Sequence, residues 1–281
     1  MSWFVFILVL LSACLNVTWN LVTKKVSGNL SVVWIGLCFA SIVLLPYVAW
    51  IICCTPWSSK NIWFLVATGS MQAVYFLLIA KAYEKGDVSF VYPIARGCGV
   101  AGAALFGAGI IGEAFATIGL LGIGIIAIGT ILIGFQKISS PGRPQLLGLA
   151  LLIGLVLVIS TGIDKIAVKN LHPLLYIFGL FFLSAIFLAP YISLKFREQC
   201  IEAWFHKKKY SAIIGIGSLV SYSLILYAFR FGQLGYIVAV REVAIVIGAG
   251  LGILIFKEPL TIRKLCGIAA ITIGLVLIRI A

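Results

Sequence analysis

Ten stretches of about 20 predominantly apolar residues follow one another along the chain, each long enough to cross a hydrocarbon core of roughly 30 Å. They run Trp3 to Thr23, Leu30 to Cys54, Ile62 to Ala82, Val88 to Ile111, Phe115 to Phe135, Leu146 to Val168, Leu174 to Leu194, Ser211 to Phe229, Leu234 to Phe256 and Leu260 to Ile280. Their apolarity is continuous, where a lipid-facing strand would alternate, so helices are expected and a barrel is not. At 63% hydrophobic and 10% charged residues, no soluble domain fits between them. The fold class expected is an all-α integral membrane protein. The first stretch has no Lys or Arg before Lys24 and is too long for a cleavable signal.

The ten stretches divide into two copies of five. Pro46-Tyr47 recurs as Pro190-Tyr191, and Ala82 with Gly86 recurs as Ala228 with Gly232. Arg96, Glu113, Gly122 and Gly129 recur as Arg241, Glu258, Gly267 and Gly274, with spacings that stay between 144 and 146. The organisation expected is a first five-helix repeat over 1–137, a linker over 138–145 and a second repeat over 146–281, together forming one membrane domain. An odd number of crossings per copy makes the repeats inverted.

The charges give an independent view of the same topology. Loops after the odd-numbered stretches hold fourteen Lys and Arg, including Lys24, Lys25, Lys81, Lys137, Lys195, Lys207, Lys208, Lys209 and Lys264. The other side holds five: Lys60, Lys165, Lys169, Arg230 and Arg279. The positive-inside rule then puts both termini on the non-cytoplasmic side of what is expected to be a bacterial inner (plasma) membrane. The formal charge of +13 is accounted for by loops beside anionic headgroups and does not point to nucleic acid.

Polar residues at membrane depth carry the functional expectation, because each buried charge costs on the order of 3 kcal/mol. Arg96 lies in the fourth stretch, and Arg241 with Glu242 in the ninth. An ion pair that only staples these two helices is the bland alternative. It leaves one guanidinium over, which suits a carboxylate or phosphate of a ligand. Tyr92 is four residues before Arg96 and shares its face, continued by Gly99, Ala103 and Gly107. Gly248 and Gly252 form a G-x-x-x-G packing signal. Asn16, Trp19 and Asn20 in the first stretch, Gln72 and Tyr75 in the third, and Tyr222 in the eighth complete the candidate substrate contacts, with Ser221 beside Tyr222 as a further polar group. Glu242 is the coupling candidate, as the group that titrates or changes partner. Asn16, Trp19, Asn20, Ser160 and Asp164, near helix ends, are evenly balanced between a cavity role and interhelical hydrogen bonding or a hydrated helix end.

Other features have structural explanations. Glu113 and Glu258 stand just before helices, where a carboxylate complements the helix N-terminus. Pro46 and Pro190 permit kinks. The seven cysteines show no C-x-x-C or metal spacing and read as small apolar packing residues, and neither His172 nor His206 is given a role. No metal site, cofactor, catalytic triad or phosphate loop is expected, so an enzyme is the least favoured class.

Gly112-Glu113 with Gly122 and Gly129, and Lys257-Glu258-Pro259-Leu260-Thr261 with Gly267 and Gly274, resemble the twin signatures of the EamA family in the drug/metabolite transporter superfamily. The resemblance spans nearly the whole chain. It implies a carrier with a central cavity between inverted halves, working by alternating access. Two features depart from the family: the charge bias puts the termini outside, and Arg241-Glu242 is more charged than the family's apolar ninth helix. The cargo expected is a small anionic or zwitterionic organic solute such as an amino acid, organic acid or phosphonate-like metabolite. The alternatives are a flippase for a lipid-linked metabolite and a non-transporting scaffold subunit. The partners expected are a small-molecule substrate and membrane lipid, with a homodimer left open.

Overall fold

The computed structural model describes residues 1–26, 29–54, 61–84, 88–134, 143–256 and 260–281, and every regular element among them is helical. The first half holds α1 (Trp3–Lys25), α2 (Leu30–Cys54), α3 (Asn61–Glu84), α4 (Val88–Phe106) and α5 (Thr117–Gly134). The second holds α6 (Arg143–Asn170), α7 (Pro173–Lys195), α8 (Arg197–His206), α9 (Lys208–Phe231), α10 (Leu234–Arg241), α11 (Val243–Phe256) and α12 (Ile262–Ile280). Among the described residues eight stretches are long and apolar enough to cross a membrane, with α10 running into α11 as one of them. Thr117–Ile133 of α5 is apolar but shorter. α12 carries Arg263, Lys264 and Arg279 within its span. The molecule is an all-helical integral membrane protein. Leu105, Leu194 and Ile262 are 75%, 88% and 81% exposed, as side chains that face lipid should be.

Local chemistry fixes the helix starts. Ser2 accepts from the Val5 N–H at 3.3 Å, Asn29 Oδ1 accepts from Ser31 N at 2.9 Å, and Thr261 accepts from Lys264 N at 3.3 Å. His172 Nδ1 accepts from Leu174 N at 3.3 Å ahead of Pro173, a capping role that the sequence alone does not disclose. Burial, aided by the charge of Arg230, pushes the His172 imidazole below its ordinary value and favours the neutral, accepting form. α4 ends in a π turn over Gly107–Ile111, closed by Gly112 at φ 78°, a left-handed conformation suited to glycine.

Packing pairs the two halves. α1 packs on α9 and α3 on α6; α4 packs on α6, and α1 on α10 and α11. α5 crosses α12 on glycines: a Cβ on Gly122 would lie 2.8 Å from the Gly274 carbonyl oxygen, and one on Gly129 2.9 Å from that of Gly267. Only residues without side chains allow backbones this close in lipid. α2 and α7 run through Pro46 and Pro190.

Several expectations need correction. The stretch from Lys195 to Lys209, expected as a polar loop, contains α8. The ninth stretch is interrupted: α10 stops at Arg241 and α11 begins at Val243. Lys165, counted among the charges of the less basic side, is buried in α6. α6 starts at Arg143, inside the expected linker, because Pro144 suits a first helical turn. A Cβ on Gly248 would meet no atom within 4 Å, so this glycine is not a packing contact. Cys14 and Cys266 are exposed rather than packed inside. Gly86, most of the linker and the Lys257-Glu258-Pro259 segment lie outside the described residues.

Candidate functional site

Arg96 on α4 and Glu242 between α10 and α11 join the two halves through a buried ion pair. The guanidinium donates from Nη2 to Glu242 Oε1 at 2.6 Å and from Nε to Oε2 at 3.4 Å. Glu242 is 1% exposed and Arg96 13%. A two-pronged contact of this kind suits arginine and carboxylate geometry, and in a low-dielectric setting each charge depends on the other.

The helix break lies at the same place. Glu242 N–H bonds the Ala239 carbonyl at 3.0 Å, and Ile245 N–H bonds the Glu242 carbonyl at 2.9 Å, so the chain passes through a tight turn before α11. Arg241 ends α10, where a cation is favoured by the helix dipole. Its guanidinium lies over the Tyr222 ring, 5.2 Å from the centroid, and its Nε is buried without a hydrogen-bond partner.

These side chains border a cavity of about 880 Å³. From α4 it is lined by Tyr92 and Arg96, and from the α10–α11 break by Arg241 and Glu242. α1 contributes Asn16, Trp19 and Asn20, α3 contributes Gln72 and Tyr75, and α9 contributes Tyr222. The structure therefore brings all ten candidate contacts onto one wall system. Ser160 of α6 and Ser221 of α9 also line it. Towards the ends of α1, α2 and α8 the lining continues through Lys24, Asn29 and Gln199, so the cavity reaches the side that carries the basic loops.

Two donors on these wall residues lack a partner. Trp19 Nε1 is buried and unpartnered, as is Arg241 Nε. Asn20 Nδ2 is satisfied locally by the Asn16 carbonyl at 2.7 Å, and Ser221 exchanges bonds with Ser12 on α1, giving to the Ser12 carbonyl at 3.0 Å. Two orphan donors beside one void suit an occupant rich in acceptor oxygens.

The far end is sealed by polar contacts that border no part of the cavity. Lys165 Nζ donates to the carbonyls of Phe229 and Gly232 and lies 3.5 Å from Glu113 Oε1. Both Glu113 oxygens accept from Leu234 N, at 3.0 and 2.8 Å. Glu113 thus caps α10, across the molecule, rather than α5 next to it in sequence. The Tyr236 hydroxyl accepts from Ala116 N at 3.2 Å, tying the same two turns together. Sequence reasoning missed this plug, because Lys165 and Glu113 are far apart in the chain.

Asp164, evenly balanced in the sequence between two roles, takes the second. It does not line the cavity but sits behind it, fully buried, accepting hydrogen bonds from Thr68, Tyr176 and Tyr222.

Residues 146–280 match the EamA-like transporter family. The second half of the chain belongs to the EamA-like transporter family. That family lies within the drug/metabolite transporter superfamily, as the glycine and glutamate signatures implied, and its members are transporters rather than enzymes. The match over the second half points to a membrane transporter of the drug/metabolite type. No curated protein matches it. A solved structure titled only "Crystal structure of protein" matches with a TM-score of 0.73 at 14% identity, covering 98% of this chain and 97% of the other, which shows a shared fold.

Proposed function

We propose that the EamA-like chain is a secondary transporter for a small anionic or zwitterionic organic solute, held between two inverted five-helix repeats and moved by alternating access. The observation that carries this reading is Arg241 on a cavity wall, whose buried Nε has no partner while the adjacent Glu242 is committed to Arg96. Two guanidiniums face one carboxylate there, and an anion would complete the set.

Several features support ten crossings. α5 and α12, added to the eight longer spans, make an even number, which agrees with the contact between the two chain ends, where Arg279 Nη1 reaches the Met1 carbonyl at 3.2 Å. The glycine contacts obey the repeat as well: Gly122 with Gly274 maps onto Gly267 with Gly129 when each residue is exchanged for its copy. The Arg241–Glu242 turn of the second repeat faces α4 of the first, and a site at the interface of two repeats is the usual construction of a carrier.

In this reading the cavity open towards the basic loops and the Lys165–Glu113 plug at the other end define a state open to one side only. Cargo binds Arg241, with Tyr92, Tyr75 and Trp19 as apolar and hydrogen-bonding walls. Glu242 can change partner from Arg96 to Arg241 as the halves rock.

The experiment is uptake by proteoliposomes of glycine, succinate and methylphosphonate, as a zwitterion, a dicarboxylate and a phosphonate. At least one is taken up by the wild type, and Arg241→Ala and Arg96→Ala lose that uptake while remaining folded by circular dichroism. Equal uptake by wild type and Arg241→Ala rules out the site.

A further inference from the structure

Asp164 has a coordination unlike that of any other acidic residue among the described residues. The Tyr176 hydroxyl donates to Oδ1 at 2.6 Å, Thr68 Oγ1 donates to Oδ1 at 3.2 Å, and the Tyr222 hydroxyl donates to Oδ2. The contributing helices are α3, α7 and α9, so the carboxyl group is enclosed on several sides and is 0% exposed. All three hydrogen-bond partners are neutral hydroxyls. Glu242, by contrast, holds a guanidinium at 2.6 Å, and Glu113 has Lys165 within 3.5 Å.

The charged groups on the surrounding helices are turned elsewhere. On α4, Arg96 is taken by Glu242. Lys165, next to Asp164 on α6, points to the Phe229 and Gly232 carbonyls and Glu113. From α10, Arg241 approaches only through Tyr222, whose ring lies under the guanidinium and whose hydroxyl is on Asp164. α3 and α7 bring Thr68 and Tyr176. Tyr222 also lines the cavity. One side chain therefore links the cargo cation, the cavity and a buried carboxyl without a contacting cation.

We propose that Asp164 is the proton-binding group of the transport cycle, loaded through Tyr222 and coupled by charge to anion binding at Arg241, so that proton and anion travel together. The proposal rests on the anion-transport reading above. A proton arriving from cavity water is accepted by the Tyr222 oxygen as the Tyr222 O–H proton passes to Asp164 Oδ2. The tyrosine ends neutral and the carboxylate becomes a carboxylic acid that donates back to the Tyr222 oxygen. With Asp164 ionised, Arg96 and Arg241 are matched by Glu242 and Asp164, two positive charges against two negative. With Asp164 protonated, the set carries one net positive charge. An anion then binds more tightly, on the order of tenfold for unit charges roughly 12 Å apart at an effective dielectric of about 20. By linkage, the bound anion raises proton affinity by the same factor.

Two measurements test the proposal. The first needs no cargo: infrared difference spectra of the purified protein as pH is stepped from mildly alkaline to mildly acidic. A protonated-carboxyl band should appear in the wild type, vanish in Asp164→Asn and shift in frequency in Tyr222→Phe, which loses the hydroxyl but keeps the ring. A band unaffected by either substitution, or no titrating band, overturns the assignment, and Tyr222→Phe decides the matter if Asp164→Asn does not fold.

The second measurement is succinate and methylphosphonate uptake into proteoliposomes with an alkaline interior. Wild-type uptake should rise roughly tenfold over the no-gradient rate. Asp164→Asn should show the same rate with and without the gradient, whatever that rate is. Gradient stimulation that persists in Asp164→Asn overturns the coupling. If the wild type takes up no probe, the anion-transport reading fails, while the infrared result still decides whether Asp164 binds the proton.

Discussion

Arg96 and Arg241 occupy equivalent places in the two copies of the sequence, yet their surroundings differ in almost every respect. α4 continues through Arg96, whereas α10 ends at Arg241. Arg96 is paired with Glu242 across the molecule, whereas Arg241 rests on an aromatic ring with its Nε unsatisfied. The next residue explains much of the difference. Gly97 follows Arg96, and a Cβ there would come within 2.5 Å of Ile131 and 2.9 Å of the Ala127 carbonyl, so no carboxylate fits. At the equivalent place after Arg241 stands Glu242, which reaches back to the first copy's arginine. Duplication supplies a symmetric scaffold, and a single-position difference converts two matching cations into one that is neutralised and one that is available.

The sharpest way to break this contrast is Glu242→Ala. It strands Arg96 in a buried site and should lower unfolding stability by about 3–5 kcal/mol, measured by denaturant titration in detergent. Arg96→Leu combined with Glu242→Leu should recover much of that loss, because no lone charge remains. If Glu242→Ala unfolds like the wild type, the pair does not hold the halves together.

Gly97→Ala should cost about 1–3 kcal/mol through the Ile131 and Ala127 contacts, read as a lower thermal midpoint. Arg241→Ala removes a cation resting on Tyr222 but no acidic partner, so its stability cost should be about 1 kcal/mol, well below that of Glu242→Ala. A loss from Arg241→Ala as large as that from Glu242→Ala would mean that Arg241 is structural. The smallest effect should come from Gly248→Ala, whose Cβ meets open space: about 0.5 kcal/mol or less in stability.

Much of the scaffold is readable from the chain because lipid leaves the backbone little choice. Apolar runs of spanning length become helices, and α1, α2, α3 and α7 fall within about three residues of the stretches read from sequence. Features set by contacts between distant residues are less legible. The break at Arg241 is invisible in local propensity, since Val240 to Ala244 contains neither Gly nor Pro. α8 is hidden by its charges, which mark the edge of the membrane but do not prevent a helix. The ten candidate contacts stand out because polar side chains are conspicuous in an apolar chain, and they do meet at one cavity. Asp164 is conspicuous for the same reason, but its three hydroxyl partners come from three other helices. The Lys165–Glu113 plug needs two residues 52 positions apart to meet, which spacing along one helix cannot disclose.

The most direct test of the central claim is ligand-dependent thermal stability of the detergent-solubilised protein with succinate and methylphosphonate, comparing wild type with Arg241→Ala. Binding to the native state raises the unfolding midpoint by mass action. The midpoint of the wild type should rise with at least one of the anions, and that of Arg241→Ala should not. Equal rises in both proteins would contradict an anion site at Arg241.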